Sequence, residues 1–205
     1  MRGDRIGHLN AGFAAFCASI AEDPLARKRT DVTVITFGGA VEVAVPFREG
    51  RDLTPITFAA QGTTPLGEAL ETGLDLLAAR KSEYKEAGLE YFRPWLFVIT
   101  DGMPTDEQRF VRACQRVREA EAAKEVTVFT VGAGEADLEV LAQLSAVRQP
   151  LALNGVRFEE LFAWLSTSMS VVTQSSAFGP TNATVAATEA AEQVPLPSPA
   201  GWATW

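Results

Sequence analysis

The chain has 205 residues, of which 47% are hydrophobic and 21% charged, and a formal net charge of −8. That length is enough to bury a full core in one domain, and the composition is that of a globular protein. The acidic balance argues against phosphate-backbone binding, which needs clustered Lys and Arg, two cysteines are too few for a disulfide framework, and the lone His8 excludes a metal site of several histidines.

The chain opens on apolar residues at helical spacing, Ile6, Leu9, Phe13, Phe16, Cys17 and Ile20, with Pro24 at or beyond the end of that helix. His8 falls on the polar side. Val32 to Phe37 is β-branched and reads as a strand, Gly38-Gly39 as a turn, and Val41, Val43 and Val45 as the alternating second arm of a hairpin, closed by Pro46 at a sheet edge. A loop from Arg48 to Gln61 leads to a helix with the stripe Leu66, Leu70, Gly73, Leu74 and Leu77, and Pro65 suits its first position. Trp95 to Thr100 is apolar on both faces, as a central parallel strand must be. Thr105 to Gln108 has the form of a capping box ahead of a helix carrying Phe110, Cys114 and Val117. Cys17 and Cys114 are therefore expected as buried free thiols. Val126 to Val131 is a further buried strand, ended by Gly132. Leu138, Leu141 and Leu144 imply a short helix, Leu151 to Leu153 a short edge strand, and Phe158 to Val172 a strong final helix. From residue 175 to residue 205 the chain is rich in Ala, Thr and Pro without periodicity, and reads as a disordered tail after a domain spanning 1–174.

Strands alternating with helices predict an α/β fold: an open, mostly parallel, doubly wound sheet with helices on both faces. Ligands in such sheets bind at the carboxyl ends of strands, where Asp101 and the Gly38-Gly39 turn fall. Asp101 offers a carboxylate there, and Thr63 and Thr64 offer hydroxyls from the start of another helix. Hard cations such as Mg²⁺ take such oxygen ligands. Thr64 before Pro65 also suits an N-cap, and Asp101 before Gly102 also suits a turn; the order and spacing of the two favour a site. Asp4, Asp31, Asp52 and Asp106 lack a comparable setting and are expected to be solvated. No apolar run nears the roughly 20 residues of a membrane span and no leader opens the chain, so a cytoplasmic location is expected.

Five segments in register carry a family resemblance: Met1-x-Gly3 leading to Leu9-Asn10; Val34 to Gly38; Gly62-Thr63-Thr64-Pro65-Leu66-Gly67-Glu68-Ala69-Leu70; Arg93-Pro94 with Thr100-Asp101-Gly102-x-Pro104-Thr105-Asp106; and Phe162 to Ser166. From Met1 to about Ser176 the chain resembles the von Willebrand factor type A family, and within it the bacterial tellurium-resistance TerY branch. The resemblance implies a metal-ion-dependent adhesion site in which Thr64 and Asp101 complete a Mg²⁺ shell begun by an Asp-x-Ser-x-Ser loop. A protein partner then contributes an acidic side chain to the metal. It further implies a stress-response or tellurium-resistance setting. This chain lacks the Asp-x-Ser-x-Ser loop and the central first strand before it, since Met1 stands where that motif's Met would be.

The departure predicts weak or absent Mg²⁺ binding. It also predicts a slot between the strands at Val32–Phe37 and Trp95–Thr100. Each unpaired buried backbone group costs about 1–3 kcal/mol, against a total stability of about 5–15 kcal/mol. An upstream segment, a closed-up sheet or another part of the chain must therefore fill the slot. The function expected is non-enzymatic protein binding. A metal-free interaction scaffold is the first alternative. The second is a Mg²⁺-dependent phosphoryl-transfer hydrolase with Asp101 as nucleophile. Haloacid-dehalogenase-type phosphatases are built that way, and that family needs a second carboxylate two residues on, where position 103 is Met.

Overall fold

The computed structural model describes residues 3–153, 155, 157–175 and 203–204. Helix α1 (Asp4–Glu22) buries Phe13, Phe16, Cys17 and Ile20, the stripe that the spacing predicts. The short α2 (Ala26–Arg29) follows a turn in which Asp23 Oδ1 accepts the N–H groups of Leu25 and Ala26, at 2.8 and 3.0 Å. Strands β1 (Asp31–Gly38) and β2 (Ala40–Glu49) form the antiparallel hairpin.

β2 does not stop at Pro46. Its partner register shifts between Val32 and Val34 and again between Val34 and Ile35, so Val34 pairs with Val45 while Val32 pairs with Arg48. Slack in the ladder accommodates the missing proline N–H, as bulges on edge strands do. A 3₁₀ turn, η1 (Gly50–Asp52), and an irregular segment lead to α3 (Leu66–Glu86). Then come β3 (Trp95–Thr100), α4 (Glu107–Ala122), β4 (Thr127–Ala133), α5 (Leu138–Leu141), β5 (Leu151–Leu153) and α6 (Phe158–Ser175).

β3, β4 and β5 pair in parallel, and their order gives an α/β fold. Side chains alternate between two cores. Trp95, Phe97 and Ile99 of β3, with Phe129 and Val131 of β4, meet Phe13, Phe16, Phe158, Phe162 and Trp164 of α1 and α6. Leu96, Val98 and Val128 meet Leu66, Leu70, Phe110, Cys114 and Val117 of α3 and α4. Both thiols are buried and free, as expected, and burial pushes each up to about 11.

Of the residues 175–205 read as a patternless tail, Ala203–Thr204 forms a strand, β6, antiparallel to β5. The outer edge of β5 has backbone groups to satisfy, and small or β-branched residues can pair there. Ser175 closes α6, and the remaining tail residues, including Trp202 and Trp205, lie outside the described residues.

Among the described residues, β1–β2 and β3–β4–β5–β6 are separate sheets, with β1 and β3 each at an edge. Burial follows this division. All seven residues of β4 are buried, whereas none of the eight of β1 is fully buried despite its apolar sequence. Helix α3 reaches both sheets, because at Gly73 Leu96 of β3 and Ile35 of β1 both come within side-chain contact. Among the described residues, no helix is long and apolar enough to cross a membrane.

Candidate functional site

Thr64 and Asp101 lie together at the carboxyl ends of the strands. Thr64 precedes α3 and Asp101 follows β3; a Cβ placed on Gly102, the residue after Asp101, would lie 3.0 Å from Thr64 Oγ1. The two loops are tied reciprocally. Thr64 N–H donates to Thr105 Oγ1 at 3.1 Å, and Thr105 N–H donates to the Thr64 carbonyl at 2.9 Å. The hairpin tip joins them. Gly39 N–H donates to the Thr63 carbonyl at 2.8 Å, and Thr63 Oγ1 reaches the Gly39 carbonyl at 3.5 Å. A groove of about 500 Å³ between the hairpin and residues 56–62 borders this corner.

The alternative role of Thr64 as a helix cap is not realised, since α3 has Pro65 at its N-cap and no cap from its own loop. Asp106 performs that task from across the site. Its carboxylate accepts Gly67 N–H at 3.1 Å and Glu68 N–H at 2.8 Å. Asp106 was expected to be solvated, within a capping box for its own helix α4. Instead Thr105 and Asp106 both turn toward the neighbouring loop, and α4 starts without a side-chain cap. The cause is close approach. Gly67 lies against the backbone of Arg109 and Phe110, where a Cβ would come within 2.7 Å of Phe110 Cα, so the start of α3 is within reach of the carboxylate just ahead of α4.

Asp31 also departs from expectation. Its Oδ2 accepts Arg80 Nε at 2.6 Å and Tyr84 Oη at 2.8 Å, and its side chain is 12% exposed. Asp52, in contrast, is exposed beside Arg51, and His8 is exposed as the helical pattern requires.

Sequence reasoning missed Arg5. From the first turn of α1 its Nη1 donates to Asp101 Oδ2 at 3.3 Å, with the two side chains 37% and 18% exposed. The guanidinium rests on Gly134, just beyond the end of β4. A Cβ there would lie 2.9 Å from Arg5 Cζ, and the backbone φ of +63° already favours glycine. Arg5 thus bridges the ends of β3 and β4. Nothing in its spacing distinguishes it from any polar-face residue of an amphipathic helix.

As they stand, these residues do not fit a resident Mg²⁺. Octahedral Mg²⁺ needs six oxygens, and the pair supplies one hydroxyl and one carboxylate that already carries a guanidinium. Among the described residues no group of three or more His, Cys, Asp or Glu could hold a metal ion. A catalytic reading of Asp101 also lacks its second carboxylate, since Met103 stands exposed at that position.

The model of the von Willebrand factor type A domain matches residues 14–161, more than two thirds of the chain. No curated protein matches the chain.

Proposed function

This chain belongs to the von Willebrand factor type A family, and we propose that it is a non-enzymatic protein-binding domain that meets its partner on the corner bearing Thr64 and Asp101. The observation that carries this reading is the convergence of three loops. The hairpin tip, the Thr63-Thr64 segment and the Asp101–Asp106 segment are cross-linked into one surface by backbone hydrogen bonds and by the Thr105 and Asp106 side chains. Pre-organised loops on a fixed scaffold are where binding residues concentrate. An acidic side chain from the partner suits the exposed part of the Arg5 guanidinium, and a TerY-like, tellurium-resistance or stress-response setting in the cytoplasm belongs to the same proposal.

The doubly wound sheet with its central strand missing belongs to this reading too. In support, the two strands that would flank such a strand are much less buried than the apolar β4, whose seven residues are all buried. β1 has no fully buried residue, and Trp95, Leu96, Phe97 and Ile99 of β3 are half-buried. An extended segment apolar on both faces, laid between β1 and β3, would satisfy both edges. If it brought further oxygen ligands, a Mg²⁺-assisted contact would become chemically reasonable. With Thr64 and Asp101 alone, the domain acts as a metal-free scaffold, which the Arg5–Asp101 pair favours.

Affinity capture compares the wild-type chain with Thr64→Ala and Asp101→Ala, each with and without EDTA. Partners lost with either substitution support the corner as the binding surface. Equal retention by all three proteins would end the proposal. A generic phosphomonoester assay should give no turnover that depends on Asp101, and such turnover would move the reading to a hydrolase.

A further inference from the structure

We propose that the domain carries a second docking surface at the end opposite the Thr64–Asp101 corner: a basic face of Arg27, Lys28 and Arg48 that takes a short acidic segment of a protein partner. The face lies at the start of β1 and the corner beyond its end, so the eight residues of that strand hold the two about 25 Å apart. No residue is common to the two surfaces.

α2 carries Arg27, Lys28 and Arg29 in succession, all three exposed. Arg29 donates to the Thr173 carbonyl of α6 at 2.8 Å and so braces the short helix. Arg48 of β2 is also exposed and stands opposite Val32 in the ladder. Opposite residues of an antiparallel pair share a face, and Val32 packs into the same core as Ala26 of α2. Arg48 therefore rises on the side of the hairpin where α2 lies. Gly50 brings the two segments into contact. Its N–H donates to the Thr30 carbonyl at 2.8 Å, and a Cβ on it would lie 3.0 Å from Arg27 Cα.

The charge of this face is not compensated from within. Arg5, Arg51, Arg80, Lys81, Arg109 and Arg116 each sit beside a carboxylate of their own chain. Among the described residues, Arg27, Lys28 and Arg48 have no carboxylate within 4.0 Å. The acids that flank them in sequence are engaged elsewhere. Asp23 accepts the Leu25 and Ala26 N–H groups and the Ser170 hydroxyl. Glu49 stands opposite Asp31, on the other face of the hairpin, and both it and Asp52 meet Arg51. Of these flanking acids Glu22 remains, one carboxylate against three cations.

Neighbouring cations without an internal anion form a surface that a run of carboxylates completes. Each new pair offsets cation–cation repulsion, and the two guanidinium groups match carboxylates in bidentate geometry. A nucleic acid or an anionic membrane suits the face less. Either spreads negative charge over a wider area than three cations cover, and the remainder of a chain at net charge −8 repels it. Membrane-binding clusters hold about four to eight basic residues. A domain with a binding corner at one end and this face at the other can hold two partners at once.

The test follows the fluorescence anisotropy of a short labelled peptide of alternating Glu and Ser on titration with the full chain at low salt. The triple variant Arg27→Gln, Lys28→Gln, Arg48→Gln should bind it about tenfold more weakly than wild type, at roughly two- to threefold for each exposed charge contact. Lys85→Gln with Arg112→Gln removes two exposed cations elsewhere and should stay within about twofold of wild type. Circular dichroism establishes that the variants are folded. Equal affinity in wild type and the folded triple variant would overturn the proposal. So would an equal loss in the Lys85 and Arg112 control, which would reduce the effect to net charge. An oligothymidylate, or phosphatidylserine vesicles, bound more tightly than the peptide through the same three residues would also overturn it. None of these outcomes bears on partner capture by Thr64→Ala or Asp101→Ala, so failure here is distinct from failure of the corner.

Discussion

Removing the Asp106 carboxylate tests whether the corner is held together from across two loops. The first N–H groups of a helix have no upstream carbonyl to meet, and in α3 two of them depend on Asp106. Loss of a side-chain cap costs about 0.5–2 kcal/mol, and an anion at a helix start adds about 0.3–1 kcal/mol. Gly67 is buried against Arg109 and Phe110, so water cannot readily take over its N–H, and an orphaned buried donor costs about 1–3 kcal/mol. These contributions overlap, and Asp106→Ala is expected to lose about 2 kcal/mol. At about 2–4 °C per kcal/mol for a chain of this size, Tm falls by about 4–8 °C. Asp106→Asn keeps an acceptor but not the charge and should lose about half as much. Asp52→Ala, at a side chain 62% exposed, serves as the control and should stay within about 0.5 kcal/mol of wild type. Urea unfolding followed by tryptophan fluorescence gives the free energies. If Asp106→Ala matches Asp52→Ala, the cross-loop cap argument is wrong, and with it the claim that Asp106 holds the start of α3.

Glu121 is buried; its carboxylate accepts Ser145 Oγ and Ala146 N–H and lies 3.8 Å from Arg148. Glu121→Ala leaves the buried Ser145 hydroxyl and the half-buried Arg148 guanidinium without their carboxylate and should destabilise by about 1–3 kcal/mol in equilibrium unfolding, with little loss refuting the importance of the contact. Asp23 is held below the usual carboxylate range, first by the Ser170 hydroxyl and then by the Ala26 N–H. A depressed folded value adds stability above the unfolded pKa and loses it as pH falls through the folded one. Wild type should therefore lose its advantage over Asp23→Ala only below about pH 4, and a difference in Tm that is flat across that range would contradict it. Cys17 and Cys114, pushed up to about 11 by burial, should resist alkylation at pH 8 in the native chain and react on unfolding; rapid native labelling would show that one of them is accessible.

The major helices and both ends of the parallel sheet were legible because their signals are local. Phe13, Phe16, Cys17 and Ile20 announce a buried helical stripe by spacing alone, and the run from Trp95 to Thr100 announces a strand covered on both faces. The neighbourhood of Thr64 and Asp101 was legible because each sits at an element boundary that an α/β topology brings to one end. What was not legible depends on partners distant in sequence. Thr105 and Asp106 carry the pattern of a cap for the helix that follows them, yet close packing at Gly67 gives them to α3. Arg5 and Asp101 are 96 residues apart, and no periodicity links them. Asp31 reads as a solvated strand-start residue until Arg80 and Tyr84 arrive from the end of α3. The extension of β2 past Pro46 depended on a register shift in its partner strand, which neither strand shows alone.

The separation of β1–β2 from the other strands has a kinetic consequence. A strand bonded on both sides opens only when its neighbours do, whereas a hairpin tied to the rest mainly through side chains, with one backbone bond at its tip, can detach as a unit. α3 and the core around α1 and α6 supply that tie, without a ladder of backbone bonds. Amide protons of β1 and β2 should therefore exchange with solvent together, at a lower free energy than those of β4, whose residues are all buried. A protein whose exchange map shows two such tiers would carry its binding corner across the boundary between them. The Gly39–Thr63 link at the hairpin tip would then be the point where local opening and ligand engagement meet.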